Sequence, residues 1–390
     1  MATRGVSILG STGSIGKTTL DVIAHFPDRF KVVALTAYRS ADELLEQVNR
    51  FKPELAVLVD GEFPVGTATG GTRLATGTEG VLEAASHTEA DIVVNSLVGA
   101  AGLEPTLIAL EAGKRLALAN KESLVVGGPL VMKALGEGGG ELIPVDSEHS
   151  AVLQCLQGSS RGSVQRIVLT ASGGPFRERD PADLAGVTPQ EALRHPTWNM
   201  GAKITIDSAT LVNKALEVIE AHFLFGMAYE RVSVVVHPQS IVHSLVEFQD
   251  GSTLAQLGYP TMSIPVLYAL SFPDRPQFDT PSLDLAEVGA LTFEPVPPGR
   301  FPAFELGREA GLQGGTAPAV FNAAGEEAVA AFLSERLPFM GIPEVIGEVL
   351  SEHEVQDVTA LDVVRRADSW ARERARRSTE SIANKMQRLA

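Results

Sequence analysis

Apolar and polar positions along the first 150 residues switch repeatedly between two periods. Gly5–Leu9, Phe30–Ala37, Leu55–Val59, Asp91–Ser96, Arg115–Ala119 and Glu141–Val145 are short, nearly continuous apolar runs, the pattern of strands buried on both faces. Between them, Lys17–His25, Gly80–His87, Gly102–Ala112 and Leu124–Leu135 repeat their apolar residues at helical spacing. Such alternation predicts a doubly wound, parallel α/β sheet. Beyond residue 150 the rhythm loosens. A helix is expected over Ser150–Leu156, strands over Arg166–Thr170, Val232–Val236, Ser244–Phe248 and Ser252–Gly258, and a further helix after a capping start at Asp207. Phe272–Pro302 carries seven prolines and reads as a linker. The remainder is helical in period, over Phe304–Glu309, Ala317–Leu333, Ile342–Leu350 and Thr359–Leu389.

Composition narrows the class. The chain has 390 residues, 44% hydrophobic and 21% charged, as in a soluble globular protein of two or three domains. A net charge of −16 argues against nucleic acid and anionic membranes as partners. The one cysteine, Cys155, lies in an apolar helical pattern, so a core position and a reducing compartment are expected. A strand begins almost at the N-terminus, which leaves no room for a leader, and no apolar run reaches the roughly 18 residues of a membrane span. A cytoplasmic protein is the expectation. No internal repeat is present.

Candidate chemistry begins at Gly10-Ser-Thr-Gly-Ser-Ile-Gly16, which sits between the first strand and the first helix. Its spacing, G-x-x-G-x-x-G, is a variant of the dinucleotide fingerprint, in which glycines allow close backbone approach and a helix start receives pyrophosphate. The second strand ends in Tyr38-Arg39-Ser40. An acid usually stands there in an NAD enzyme, whereas a cation and a hydroxyl suit a 2′-phosphate, so NADP is the expected cofactor. Residues 1–146 then form an N-terminal Rossmann-like NADP-binding domain.

Two carboxylates, Asp146 and Glu148, follow the last strand of that domain with one residue between them. They either start a helix, Asp146 or Ser147 capping it, or share a hard oxygen-liganded cation, Mg²⁺ or Mn²⁺. Asn120-Lys121-Glu122-Ser123 also follows a strand, at the edge where ligands bind; Lys121 by itself could be a surface cation, but a polar cluster at a strand end beside the cofactor cleft reads better as a site. Ser172-Gly-Gly174 is an anion nest or a turn, and Trp198, in an aperiodic loop from Arg194 to Gly201, is a lid or is tucked under its own loop. Asn213, Lys214 and Glu217 share one helical face, as a solvated salt bridge or a second acid–base cluster, and Ser208 with Lys214 suits a phosphate. The arginines of the last helix, among them Arg372 and Arg376, read as a solvated face.

Taken together, the glycine turn, Leu118-Ala-Asn-Lys-Glu-Ser123, Pro144-Val-Asp-Ser-Glu-His149, Ser172-Gly-Gly-Pro-Phe176, His195-Pro-Thr-Trp-Asn-Met-Gly201, Asp207-Ser-Ala-Thr210 with Asn213, Lys214 and Glu217, and His237-Pro-Gln-Ser240 resemble the 1-deoxy-D-xylulose 5-phosphate reductoisomerase family. The resemblance runs from the N-terminus through the helical tail. It implies an oxidoreductase and isomerase of the non-mevalonate isoprenoid pathway that uses NADPH and one divalent cation. It implies that Asp146, Glu148 and Glu217 bind the metal, and that Asp146 is no mere cap. Lys121, Ser147, Glu148, Ser172, His195, Ser208, Asn213, Lys214 and Glu217 would meet the sugar phosphate. Lys121, Glu148, His195 and Trp198 would be catalytic. Thr12, Gly13, Ser14, Ile15, Arg39, Ser40, Asn120, Glu122 and Gly201 would meet NADPH. The family often has Gly-Lys-Asn where this chain has Tyr38-Arg39-Ser40. The expected plan is an NADP-binding domain (1–146), a catalytic and metal-binding α/β domain (147–275), a Pro-rich linker (276–303) and a C-terminal α-helical domain (304–390), working as a homodimer on a small sugar phosphate. Two other readings stay open. A decarboxylating NADP dehydrogenase would need arginines beside the acids, and none stands there in sequence; a non-catalytic NADP-binding regulator would have no use for three converging acids.

Overall fold

The computed structural model describes residues 3–64, 69–195, 197–198 and 200–389. Its elements, in chain order, begin with β1 (Arg4–Leu9), α1 (Ser14–His25), β2 (Phe30–Ala37), α2 (Ala41–Phe51), β3 (Leu55–Leu58), β4 (Arg73–Thr76) and α3 (Gly77–Ala85). Next come β5 (Ile92–Asn95), α4 (Leu103–Glu111), β6 (Arg115–Leu118), α5 (Glu122–Gly138), β7 (Glu141–Pro144) and α6 (Ser147–Cys155). Then follow β8 (Val164–Ala171), α7 (Pro189–Ala192), α8 (Ala202–Ala209), α9 (Val212–Phe225), β9 (Val232–Val236), β10 (Val242–Phe248), β11 (Thr253–Leu257) and α10 (Ser263–Ser271). The chain ends with α11 (Leu285–Val288), β12 (Glu294–Pro295), α12 (Pro302–Gln313), α13 (Ala317–Leu333), α14 (Gly341–Ser351) and α15 (Leu361–Leu389). These fall into two compact units, one of residues 1–123, 130–150 and 261–279, the other of 124–129, 151–260 and 280–390.

The first unit is a doubly wound α/β body. Its seven-stranded sheet is parallel throughout, in the order β4-β3-β2-β1-β5-β6-β7. The apolar runs become fully covered strands: Ile8, Leu9, Leu35, Ile92 and Leu116 have no exposed surface. The order turns back between β1 and β5, and an open α/β sheet splays there into a ligand crevice beyond its carboxyl edge. The glycine turn leaves β1 at that point, and Ser96, just past β5, donates through its hydroxyl to the Leu9 carbonyl at 2.7 Å. Three elements escaped the sequence pattern. Helix α2 buries only Leu44, Gln47 and Val48, a stripe too thin to stand out. Strand β4 is a half-exposed edge with no apolar run. Helix α10 has Pro265 in its first turn, where proline is tolerated, and it packs on α1, β6 and β7. Residues 261–279 therefore return to the first unit rather than closing a contiguous central domain.

The second unit joins a five-stranded sheet to a helical region. The sheet runs β11-β10-β8-β9-β12, with β8 and β9 parallel and the other pairs antiparallel. The expected linker is partly structured: it contributes α11 and the two-residue edge strand β12, and an edge is where a strand tolerates Pro295. Helices α12 to α15 pack on one another, and α9 is covered by α8, α12, α13 and β9. That covering explains why Lys214, Glu217 and Glu220 are all buried on α9. The stretch from Asp207 is two helices rather than one. Asp207 belongs to α8, paired with Lys203 at 2.8 Å, and the break falls at Leu211, whose φ of 56° starts α9. The arginines of α15 are not a simply solvated face either. Arg372 bonds Asp368 one turn back and Glu326 of α13, and Arg376 bonds Glu327 of α13, so they tie two helices together. Cys155 is buried, as its pattern implied. No described helix is long and apolar enough to cross a membrane.

Candidate active site

The glycine turn is tight because backbone meets backbone. A Cβ on Gly16 would stand 2.3 Å from the Gly10 carbonyl oxygen and 2.5 Å from the Ser11 Cα, so only glycine fits. The Gly13 N–H donates to the Gly10 carbonyl at 3.1 Å, and α1 starts directly after it. Among the described residues no side chain caps α1 and no acid sits in its first turn, so its positive end faces solvent between Thr12 and Ile15. Gly13 and Ser14 are exposed, Thr12 and Ile15 half-buried. Past the end of β2, Tyr38, Arg39 and Ser40 are all exposed. Asp60, unassigned from the sequence, bonds Arg39 there and raises its guanidinium above the ordinary value.

Asn120 and Glu122 are buried. The Asn120 amide donates to the Leu97 and Gly99 carbonyls at 2.9 and 3.0 Å and to Glu122 at 3.0 Å, so it braces the wall of the crevice. Lys121, also buried, donates to the Asp146 Oδ2. The other oxygen, Oδ1, accepts the Glu148 N–H at 3.2 Å and faces the His149 Nδ1 at 3.4 Å. Asp146 thus does cap the start of α6 with one oxygen while the other is charge-paired. Burial by itself would raise its carboxyl, but the Lys121 ammonium, and after it the His149 ring, hold it well below the usual carboxylate range. The Ser147 hydroxyl donates to Glu148 at 2.5 Å. The sequence assigns His149 no role, and its spacing of three from Asp146 is the one signal that the two side chains meet.

In the second unit, Lys214 and the Asn213 amide both bond Glu217. The side chains of Lys214 and Glu217 are 4% and 1% exposed, which rules out the solvated salt bridge. Ser172 follows β8, and its hydroxyl accepts from the Gly174 N–H at 3.2 Å. Gly174 has φ of +68°, and a Cβ there would come within 2.9 Å of the Ser208 carbonyl oxygen, so this turn packs directly on α8. His195 Nε2 lies 3.0 Å from the Ser172 hydroxyl, while its Nδ1 accepts the N–H groups of Thr197 and Trp198 at 3.1 and 2.9 Å. Because Nδ1 only accepts, the neutral ring carries its proton on Nε2, which donates to Ser172. Burial pushes the His195 pKa down, in keeping with a neutral ring. Trp198 is half-buried, its ring 6.5 Å from that of His243. Pro196 and Asn199 of the expected lid lie outside the described residues. Gly201 is exposed just before α8. His237 is wholly buried, bonding the Thr292 carbonyl at 2.8 Å and accepting from Ile241 and Val242, so His237-Pro-Gln-Ser240 holds the sheet together.

A parallel, doubly wound sheet with a glycine turn at its switch point defines a dinucleotide-binding protein of the Rossmann type. Comparison with known proteins narrows the class. The 1-deoxy-D-xylulose 5-phosphate reductoisomerase model matches residues 6–128, and two models of that enzyme's C-terminal domains match 142–225 and 257–374. The 1-deoxy-D-xylulose 5-phosphate reductoisomerase of Symbiobacterium thermophilum is 52% identical over 96% of this chain and 98% of its own. That of Synechococcus sp. is 51% identical over 95% and 96%. Among solved structures, the Zymomonas mobilis enzyme in complex with NADPH superposes with a TM-score of 0.90 at 42% identity, covering 97% of this chain and all of its own. A second reductoisomerase, in complex with NADPH, fosmidomycin and magnesium, gives 0.89 at 38% identity, covering 97% and 98%. The chain belongs to the 1-deoxy-D-xylulose 5-phosphate reductoisomerase family.

Proposed function

We propose that the chain is the metal-dependent reductoisomerase that converts 1-deoxy-D-xylulose 5-phosphate and NADPH to 2-C-methyl-D-erythritol 4-phosphate in the non-mevalonate isoprenoid pathway. The observation that carries this reading is similarity over nearly the whole chain to reductoisomerases, of which one solved relative holds both NADPH and magnesium. The first unit, with the glycine turn, takes the dinucleotide, and the second, with its five-stranded sheet and helical region, supplies Glu217 and the phosphate-binding residues.

The residues suit both groups. Asp146, Glu148 and Glu217 offer only oxygen, the donor set of Mg²⁺ or Mn²⁺. Lys121 keeps Asp146 ionised, as a ligand must be. The turn at Gly10–Gly16, too close for a Cβ, suits a dinucleotide phosphate. When bound, the cation supplies Lewis-acid polarisation of the sugar oxygens and NADPH supplies the hydride. Thr12, Gly13, Ser14 and Ile15 hold the pyrophosphate, Arg39 and Ser40 the 2′-phosphate, and Asn120, Glu122 and Gly201 the nicotinamide half.

Ser172, Ser208, Asn213 and Lys214 take the substrate phosphate. Lys121, Ser147 and Glu148 orient the sugar oxygens through the rearrangement of the carbon skeleton. His195, neutral, donates from Nε2. Trp198 covers the bound sugar and keeps water from the aldehyde that the rearrangement yields. Phosphate binding remote from the reacting carbons helps to hold that cover in place. The protein acts in the cytoplasm as a homodimer, with the exposed edge strand β11 as the surface on which two copies would pair. The test is NADPH oxidation with 1-deoxy-D-xylulose 5-phosphate. Oxidation should require substrate, stop with EDTA and return with Mn²⁺; turnover indifferent to EDTA would overturn the reading.

A further inference from the structure

Arg39 and Asp60 form a polar corner beyond the carboxyl ends of β2 and β3. The Asp60 N–H donates to the Tyr38 carbonyl at 2.8 Å and so extends the β2–β3 ladder past the strands. That bond sets the Asp60 carboxylate against Arg39, whose Nε and Nη2 reach the same oxygen, Oδ2, at 2.7 and 2.6 Å. The guanidinium also lies over the Tyr38 ring, 5.0 Å from its centroid. Arg39 is 70% and Asp60 47% exposed, so the pair adds little to stability. Its effect falls on whatever Arg39 binds. With Nε and one edge of Nη2 taken, an anion meets the remaining N–H edge, and it then lies within a few ångströms of the Asp60 carboxylate. The first turn of α2, just after Ser40, adds Asp42 and Glu43, of which Glu43 is paired with Lys17 at 2.7 Å.

We infer that Asp60 is a specificity-determining residue for the dinucleotide: its carboxylate opposes the 2′-phosphate held by Arg39, so NADPH is preferred over NADH less sharply than Arg39 alone would dictate. The inference rests on Arg39 as the 2′-phosphate partner. A carboxylate about 6 Å from a phosphate dianion, in a water-like and salt-screened surrounding, weakens its binding about five-fold. Asp60→Asn keeps the shape and one acceptor oxygen for Arg39 but removes the charge.

The experiment is fluorescence titration of the full-length protein with NADPH and with NADH, at low and high salt. For Asp60→Asn, NADPH should bind about five-fold tighter at low salt, with the gain shrinking as salt rises, and NADH should be unchanged. NADPH binding that is unchanged or weaker would overturn the inference, the weaker case making Asp60 a brace for Arg39. Arg39→Leu separates this from the reading beneath it. If that variant keeps the full preference for NADPH, the 2′-phosphate assignment itself fails; if the preference collapses while Asp60→Asn brings no gain, only the role of Asp60 fails.

Discussion

Replacing Glu217 with Gln alters shape little and removes one charge. Were Glu217 only an acid among acids, neutralising it would relieve repulsion and stabilise the metal-free protein. Were it a surface i,i+3 partner of Lys214, the change would cost a few tenths of a kcal/mol, on the order of 0.3. The structure supports neither, because the two side chains are 1% and 4% exposed and the Asn213 amide also donates to the carboxylate. Breaking a buried charge pair costs about 3–5 kcal/mol when one partner is deleted outright. Gln keeps a carbonyl oxygen that still accepts from Lys214, so a loss of about 2–3 kcal/mol is expected. Urea unfolding followed by circular dichroism in EDTA reads it as a lower midpoint at unchanged slope. Mn²⁺ titration of the same variant should show affinity down by at least about ten-fold, since a charged ligand is gone. Metal-free stability within about 0.5 kcal/mol of wild type would refute the buried pair. Lower stability with wild-type Mn²⁺ affinity would instead remove Glu217 from the ligand set.

Gly16→Ala gains about 1 kcal/mol of helix propensity but drives a Cβ into the Gly10 and Ser11 backbone, a conflict of about 1–3 kcal/mol, so a lower thermal midpoint and weaker NADPH binding by fluorescence are expected, and unchanged binding would refute the tight turn. Stability should fall on acidification from pH 7 to 5: burial favours neutral His195 in the fold while the unfolded chain takes up a proton near about pH 6.5, so the variant His195→Asn should show a flatter unfolding midpoint over that range. Asp146 acts lower down, because its depressed pKa contributes stability above about pH 4 that is lost as pH falls through the folded value; the loss should be smaller in Asp146→Asn, whose amide oxygen still caps α6. Trp198→Ala should lower turnover by more than about ten-fold with the thermal midpoint moved by no more than about 2 °C, and a fall of about 10 °C would make the indole a core residue.

Periodicity alone placed most of the strands to within a residue or two, because a strand buried on both faces must be apolar along its length whatever its neighbours are. The glycine turn was legible for a similar local reason: strand, turn and helix are adjacent in the chain. Helices α2 and α10 and strand β4 were not, since one shows only a thin apolar stripe, one carries a proline in its first turn and one is a polar edge. Asp207 looked like a cap because capping residues and short polar residues inside a helix are the same residues, and only the left-handed Leu211 reveals where α9 begins.

The partners of the charged groups were decided by strand order. Ala37 of β2 pairs with Leu58 of β3, so residues two past each end, Arg39 and Asp60, come together. Leu118 of β6 pairs with Pro144 of β7, and Lys121 and Asp146, three and two residues on, meet by the same rule. His195 reaches Ser172 through a loop of no period at all. The burial of Lys214 and Glu217 likewise depends on helices that follow α9 much later in the chain. Amphipathic pattern reports how one element meets the core, whereas an ion pair between two strand ends depends on which strands lie side by side, and no residue of either strand records that choice by itself.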